Sequence, residues 1–494
     1  GAAGGDVQDN TLKVTGGTVT GDSYGGVTSG TGDAVGNGVV VSGGSTSLND
    51  VYGGSSAGGN AKKNYVTYSE ATAANLTGGR AQSGAGAVSD NKVEMTGGSV
   101  TNDVTGGLSY GSGTVEKNEV KISGGTVGGT ILGGQNIGTG AASSNIVELT
   151  DGTINAAVYG GWANSGAADS NTVTVKKNVT GNIFGGYSMG STASGNTVDL
   201  GAVTVTGNVT GGFGNATSSN KVNMAGSEVT GVITVGSAGG TGNTLTVSGE
   251  NSAGNITGFQ KAIFNLENTV NSGNAMLKLT GGMTNIDWGT LDVTGTPPTR
   301  TPTGARTLLS NQATFNFMGT YTNGGTFKYE TDKYEYFIDT DTHTALGATK
   351  INLDEYQFRD AGVSKPADPA ADIWAGRSKH GNTTQNNELT ITGGLTTKNA
   401  YGGWTSGTGT TNTDQNDSMN NTVNLDGSTL ANVYGGYTES AGGKATGNTV
   451  NIAGGNAANV VGGQSIGDAT GNIVNVTANF TGDITGGVST AGAA

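Results

Sequence analysis

The chain of 494 residues has no cysteine, five prolines and two histidines, and only 12% of its residues are charged. Each shortage excludes something. Without cysteine there are no disulfides and no thiolate metal sites. Two histidines, His343 and His380, with no HExxH or His-x-His spacing, supply neither a zinc pattern nor the base of a catalytic triad. The net charge of −14 is spread thinly, with no basic cluster, so a nucleic-acid partner is not expected. No run of 18 apolar residues is long enough to span a membrane, and no signal peptide opens the sequence.

What is abundant is glycine, at 94 residues, beside Asn, Thr and Ser. Such a composition suits a disordered linker, but here the apolar residues alternate in short bursts, which disorder does not require. The bursts are phased on asparagine. Asn10, Asn37, Asn64, Asn91, Asn118, Asn145, Asn171, Asn196, Asn220 and Asn243 are each followed by apolar residues two and four positions later, at steps falling from 27 to 23 residues. The series resumes at Asn387, Asn421, Asn448 and Asn472. Self-similarity at a nearly fixed period marks a solenoid in which one supersecondary unit stacks on the next.

Within a repeat, Val147 and Leu149 share parity while Glu148 takes the other, which reads as a half-buried strand. Val93/Met95, Val120/Ile122, Val198/Leu200 and Val423/Leu425 keep this phase. A Gly-Gly pair follows, as in Gly97-Gly98 and Gly124-Gly125. A second short strand ends in another pair, as in Val51-Tyr52-Gly53-Gly54 and Ile131-Leu132-Gly133-Gly134. Glycine takes positive φ without steric cost, so both pairs predict bends. Two strands and a third per repeat give one triangular turn, and a Ser/Gly/Ala loop absorbs the drift in period. The predicted fold is all-β: a parallel β-helix of coils of about 23–34 residues with an irregular β-rich interruption. A propeller blade needs four antiparallel strands and more residues, and a leucine-rich repeat needs leucines that are missing. Stacked asparagines would pass amide hydrogen bonds from coil to coil, a structural ladder of the kind seen in cross-β stacks.

The pattern divides the chain into a first block, 1–254, an irregular segment, 255–380, and a second block, 381–494. The segment concentrates aromatics and charges around Tyr334-Glu335-Tyr336-Phe337-Ile338-Asp339. It reads as irregular coils carrying a protruding hairpin or small β-subdomain. Joining tail to head would place Asn10 32 residues after Asn472, inside the range of observed steps, so the chain reads as a slice of a longer solenoid or a unit that stacks end to end.

The Val51-Tyr52-Gly53-Gly54 type of pair and the Asn-x-Val-x-Ile phase resemble the passenger regions of bacterial autotransporter adhesins across both blocks. The stretch Thr280-Gly281-Gly282-Met283-Thr284-Asn285-Ile286-Asp287-Trp288 is similar to their non-repetitive segments. The resemblance implies a secreted, surface-displayed rod, anchored through an outer-membrane barrel outside this chain. A cysteine-free chain also suits a protein that crosses an envelope unfolded.

Parallel β-helices host polysaccharide-cleaving enzymes too. Glycoside hydrolysis needs two carboxylates about 5–9.5 Å apart. Glu94, Glu148 and Asp199 recur at the third position after the asparagine, but Lys121 and Thr174 interrupt them. Asp332, Glu335, Asp339 and Asp341 form the densest acidic cluster, which reads as a solvated hairpin. Asp339-Thr340-Asp341 lacks the rest of a calcium loop, and a regular Thr-x-Thr array of the ice-binding kind is not seen. No catalytic residue, metal or cofactor is therefore expected. The candidate contacts are the aromatics just past the second glycine pair, Trp162, Tyr187, Trp404 and Tyr437, with Tyr334 and Tyr336 of the central segment. Aromatic surfaces on a polar rod suit a glycan or protein receptor, though the same rings could simply cover a corner. The expected function is that of an extracellular, non-enzymatic adhesin or fibrous stalk on the bacterial cell surface. A filament subunit that self-associates end to end is the alternative, and a carbohydrate-active enzyme is third.

Overall fold

In a computed structural model the structure describes residues 4–266 apart from 45 and 237–239, and 384–491 apart from 393–395 and 407–416. Between 275 and 378 it describes mainly separate strands. The described strands build a parallel β-solenoid of about 13 turns, roughly 27 residues each, without a helix.

One coil shows why. Ile146–Ile154 follows the buried Asn145 and places Val147 and Leu149 inside. It pairs in parallel with Glu119–Val127 before it and Thr172–Val175 after it, so Val120, Val147 and Val173 stack as one row. The chain bends at Gly152, whose φ is +105°, and Ile154 turns inward. Val158–Ala163 follows, buries Val158 and Ala163, and pairs with Ile131–Asn136 and Ile183–Ser188. Each fully hidden Val or Leu contributes about 1.5–3 kcal/mol, and the rows of successive coils merge into one narrow core.

A further segment, its place unmarked by the sequence pattern, closes the coil. Two-residue strands such as Ala142–Ser143 and Val115–Glu116 pair in parallel just before the asparagine, so the turn has the three strands expected, here Ala142–Ser143, Ile146–Ile154 and Val158–Ala163. Alanine and valine line their inner side: Ala61, Val88, Val115, Ala142 and Ala168 form a small-residue cluster. The drift in period does fall in the loop. From Asn64 to Gly79 is 15 residues and from Asn145 to Gly161 is 16, whereas Gly186 to Asn196 takes 10 and Gly212 to Asn220 takes 8.

The chain divides into two compact units, one built mainly on 1–298 and the other mainly on 352–494. In the first, parallel stacking runs on beyond residue 254. Lys261–Asn265 joins Thr244–Ser248 to Thr290–Thr294, and Leu277–Leu279 joins Asn251–Thr257 to Arg306–Phe317. In the second, Glu388–Thr392, Thr422–Asp426, Thr449–Ile452 and Ile473–Val476 form one parallel sheet and Ile373–Ser378 through Asp483–Ser489 another. Tyr329–Glu330 pairs antiparallel with Tyr334–Thr340.

Candidate functional site

An inner amide column runs from coil to coil, an outer aromatic face recurs in three groups of coils, and glycine links the two. The asparagines come first. Oδ1 of Asn145 accepts both the backbone N–H (3.1 Å) and the Nδ2 (2.9 Å) of Asn118. Nδ2 of Asn145 donates to Oδ1 of Asn171 (3.1 Å) and to the carbonyl of Val115 (3.1 Å). The same pattern runs through Asn37, Asn64 and Asn91 and again through Asn421 and Asn448. From Asn37 to Asn243, and at Asn421 and Asn448, these side chains are 0–1% exposed. Full satisfaction is what lets so polar a column lie in the core.

All fourteen follow a residue whose φ lies between +52° and +69°. Nine of these are not glycine, Lys63, Lys117 and Ser144 among them. A left-handed residue with a Cβ costs about 1–2 kcal/mol, and here it swings the next side chain inward. The turn thus falls on the residue before the asparagine and not on the asparagine itself.

The second glycine pair has a different cause from the first. Gly133, Gly134, Gly160 and Gly161 lie within strands and none has positive φ. A Cβ on Gly134 would lie 2.5–2.6 Å from the amide atoms of Asn145, and one on Gly107 2.6–2.7 Å from those of Asn118. The buried amide packs on bare Cα, so space rather than a bend demands glycine there. Only the first pair bends: φ is +78° at Gly98 and +88° at Gly125.

On the outside, the residues flanking that bare pair carry the aromatic rings. Tyr159 and Phe184 stack at 4.8 Å between ring centres. Trp162, Tyr187 and Phe213 form a second column, stacked at 6.5 and 4.7 Å. The columns meet edge to face, with Tyr187 at 5.7 Å from Tyr159 and 5.3 Å from Phe184. Trp162 and Tyr187 are thus brought together, half-buried by each other and by rings outside the expected set. The signal for those rings was the aromatic before the glycines as well as after, in Tyr159-Gly160-Gly161-Trp162.

The second unit repeats the arrangement. Trp374, Tyr401 and Tyr434 stack at 6.4 and 5.1 Å, and Tyr437 meets Tyr401 and Tyr434 edge-on at 5.5 and 4.9 Å. Trp404 occupies the rung before Tyr437. Burial pushes the phenols of Tyr159, Tyr401, Tyr434 and Tyr437 up. Near the start of the chain, the Arg80 guanidinium lies 3.9 Å from the Tyr52 ring centre, and Tyr52 stacks on Tyr24. Burial likewise pushes the Tyr52 phenol up.

Of the recurring carboxylates, Glu94 and Glu148 are tied into surface ion pairs and Asp199 accepts from Asn223 Nδ2 at 2.6 Å. Glu148 lies between Lys121 (3.6 Å) and Lys176 (3.7 Å), and Glu94 lies 3.7 Å from Lys92. Among the described residues no three His, Cys, Asp or Glu gather as a metal site. Tyr334 and Tyr336 lie on a described strand whose side chains are outside the described residues, as are Asp332, Asp341, His343, His380 and Trp288.

The amide column also outlasts the asparagines. Gln260 Oε1 accepts the backbone N–H and Nδ2 of Asn243, each at 3.1 Å. Its signal was in the sequence, since Ala262 and Phe264 hold the two-and-four phase. External amide columns were missed as well: Asn475 to Asn451 (2.9 Å) to Asn424 (2.8 Å), and Asn459 to Asn432 (2.7 Å) to Asn399 (2.6 Å).

No protein-family model, curated protein or solved structure matches this chain. The chemistry of the site rests on its own residues.

Proposed function

We propose that this chain is the rod of an extracellular, non-enzymatic adhesin or stalk on a bacterial cell surface, of the kind its resemblance to autotransporter passengers implies. The observation that carries the reading is the double aromatic column on the outer face of Val158–Ala163, Ile183–Ser188 and Val209–Phe213. Rings needed only for packing would be hidden, yet Phe213 is 45% exposed. The stacked coils hold the rings in fixed register, which limits the ordering cost of binding. Beads coated with the purified chain should adhere to cells, and Trp162→Ala with Tyr187→Ala should reduce adhesion. Beads that stay unattached to every host and bacterial cell tried, or sugar release from polysaccharide by the pure protein, would refute it.

A filament subunit is the second reading, supported by the constant parallel register from coil to coil. Any coil edge is a template for another. Electron micrographs of fibres that lengthen with protein concentration would favour it over separate rods.

A further inference from the structure

The aromatic face of the first unit has a chemistry narrower than adhesion requires. Four successive coil faces, residues 130–137, 157–164, 182–189 and 208–215, contain no Lys, Arg, Asp or Glu. Registered pairing aligns them, so their outward residues form rows across the coils. The two central rows are the ring columns. Exposed amides rim them: Asn182 and Asn208 on one side, Asn164 and Asn215 on the other. Oδ1 of Asn182 and of Asn208 is taken by a backbone N–H at 2.8 Å, so each offers its Nδ2 as a donor. Nδ2 of Asn215 is taken by the Gly190 carbonyl at 2.9 Å, so it offers an acceptor.

We propose that this strip binds a neutral polysaccharide laid along the coils, which deepens the adhesin reading by naming the class of its ligand. Three physical arguments select that occupant. Pyranose rings present apolar C–H groups that rest on the aromatic surface left open by stacking, as at Phe213, 45% exposed, and hydroxyls that pair with side-chain amides. A pyranose ring is about as wide as one coil is tall, about 4.8 Å, so consecutive sugars meet consecutive rungs. The absence of any cation on the strip, in a chain of net charge −14, leaves sulfated or uronic-acid polymers without a counter-charge. A folded protein fits less well. Four coils give on the order of 400 Å², against about 800 Å² per partner in a stable protein interface. The large offset of Trp162 from Tyr187, 6.5 Å between centres, leaves part of the indole face open to a sugar.

The test is affinity electrophoresis of the whole chain in gels containing β-glucan, mannan, galactan, dextran or soluble chitin oligomers, with heparin and alginate as anionic probes. At least one neutral polymer should retard the protein, and added salt should leave the retardation unchanged. The double variant Trp162→Ala/Tyr187→Ala should lose at least tenfold in affinity. Met189, 57% exposed, lies on the same rim as Asn164, its N–H donating to the Ala163 carbonyl; should the first variant melt early, Asn164→Ala/Met189→Ala, expected to melt like wild type, should still weaken binding severalfold. Failure of the whole neutral panel, retardation by the anionic polymers alone, or unchanged affinity in a normally melting strip variant would overturn the proposal. So would a protein ligand whose binding the strip variants abolish while no neutral polymer binds. Cell adhesion that persists without glycan retardation sinks this proposal and spares the adhesin. Retardation without cell adhesion does the reverse.

Discussion

Removing one inner amide should cost far more in mid-column than at the first rung, and the difference can be worked from the hydrogen bonds. In Asn145→Ala the acceptor for two buried donors disappears: the backbone N–H and one Nδ2 hydrogen of Asn118, now bonded at 3.1 and 2.9 Å. Each orphaned donor costs about 1–3 kcal/mol, so the loss should be about 2–6 kcal/mol. Asn171 keeps one partner, because the backbone N–H of residue 145 still reaches its Oδ1 at 2.9 Å. Asn10 is exposed and donates to Asn37, whose Oδ1 would keep the backbone N–H of residue 10 at 3.1 Å. Asn10→Ala orphans no buried donor and should cost under about 1 kcal/mol. Because solenoids can unfold by segments, the assay is urea denaturation combined with hydrogen exchange. In Asn145→Ala, protection should fall first in Glu119–Val127 and Ile146–Ile154. An Asp at this position sharpens the test. Its carboxyl, buried against the Val115 carbonyl and the Asn171 Oδ1 without a counter-charge, would titrate above its unfolded value of about 3.9. Stability would then be highest below that value and lost as pH rises through the folded one. Asn145→Asp should therefore be rescued by acid and Asn145→Ala should not. Equal costs at Asn10 and Asn145, or no acid rescue, would refute the account of the column.

The glycine pairs give a second comparison. Gly134→Ala, whose Cβ would meet the Asn145 amide at 2.5–2.6 Å, should lower the melting temperature by several degrees, and Gly16→Ala, with nothing within 4 Å, should not. Alkaline pH gives a third. Burial pushes the phenols of Tyr52, Tyr68 and Tyr401 well above their ordinary value. The stability they contribute is full below the unfolded value of about 10 and falls as pH rises from there toward the folded values. Melting temperature should thus drop above about pH 10, with phenolate absorbance appearing on unfolding; a free titration of all tyrosines near pH 10 in folded protein would count against it. The Lys121–Glu148 pair at 3.6 Å is substantially exposed, so Lys121→Ala should change stability by less than about 1 kcal/mol, a difference that shrinks as salt is added. A larger loss in urea melts would mean that these pairs help hold the coils together.

The period, the direction of stacking and the inward rows were all legible in the residues alone. A strand such as Val147-Glu148-Leu149 can hide only one parity, a period near 27 residues is too short for a four-stranded blade, and the leucines of a strand-plus-helix repeat are missing. Gln260 escaped because the pattern was sought in asparagine alone, although any side-chain amide with the same phase can complete a rung. The place of the two-residue strand, such as Ala142–Ser143, escaped because two residues carry no periodicity.

What the sequence determined by itself was which residues recur, and from that the parallel column of coils. What only the tertiary structure decided was why each recurs. Two Gly-Gly pairs look identical as text, yet one bends the chain at Gly125 and the other makes room at Gly134 for the amide of Asn145. The aromatics past the glycine pair suggest short strips as text, and only the structure sets Tyr159 and Trp162 in two columns of perpendicular rings across coils. Periodicity specifies a residue's place along the chain. The neighbour that gives it a role sits one coil away, about 25 residues in sequence but about 4.8 Å in space.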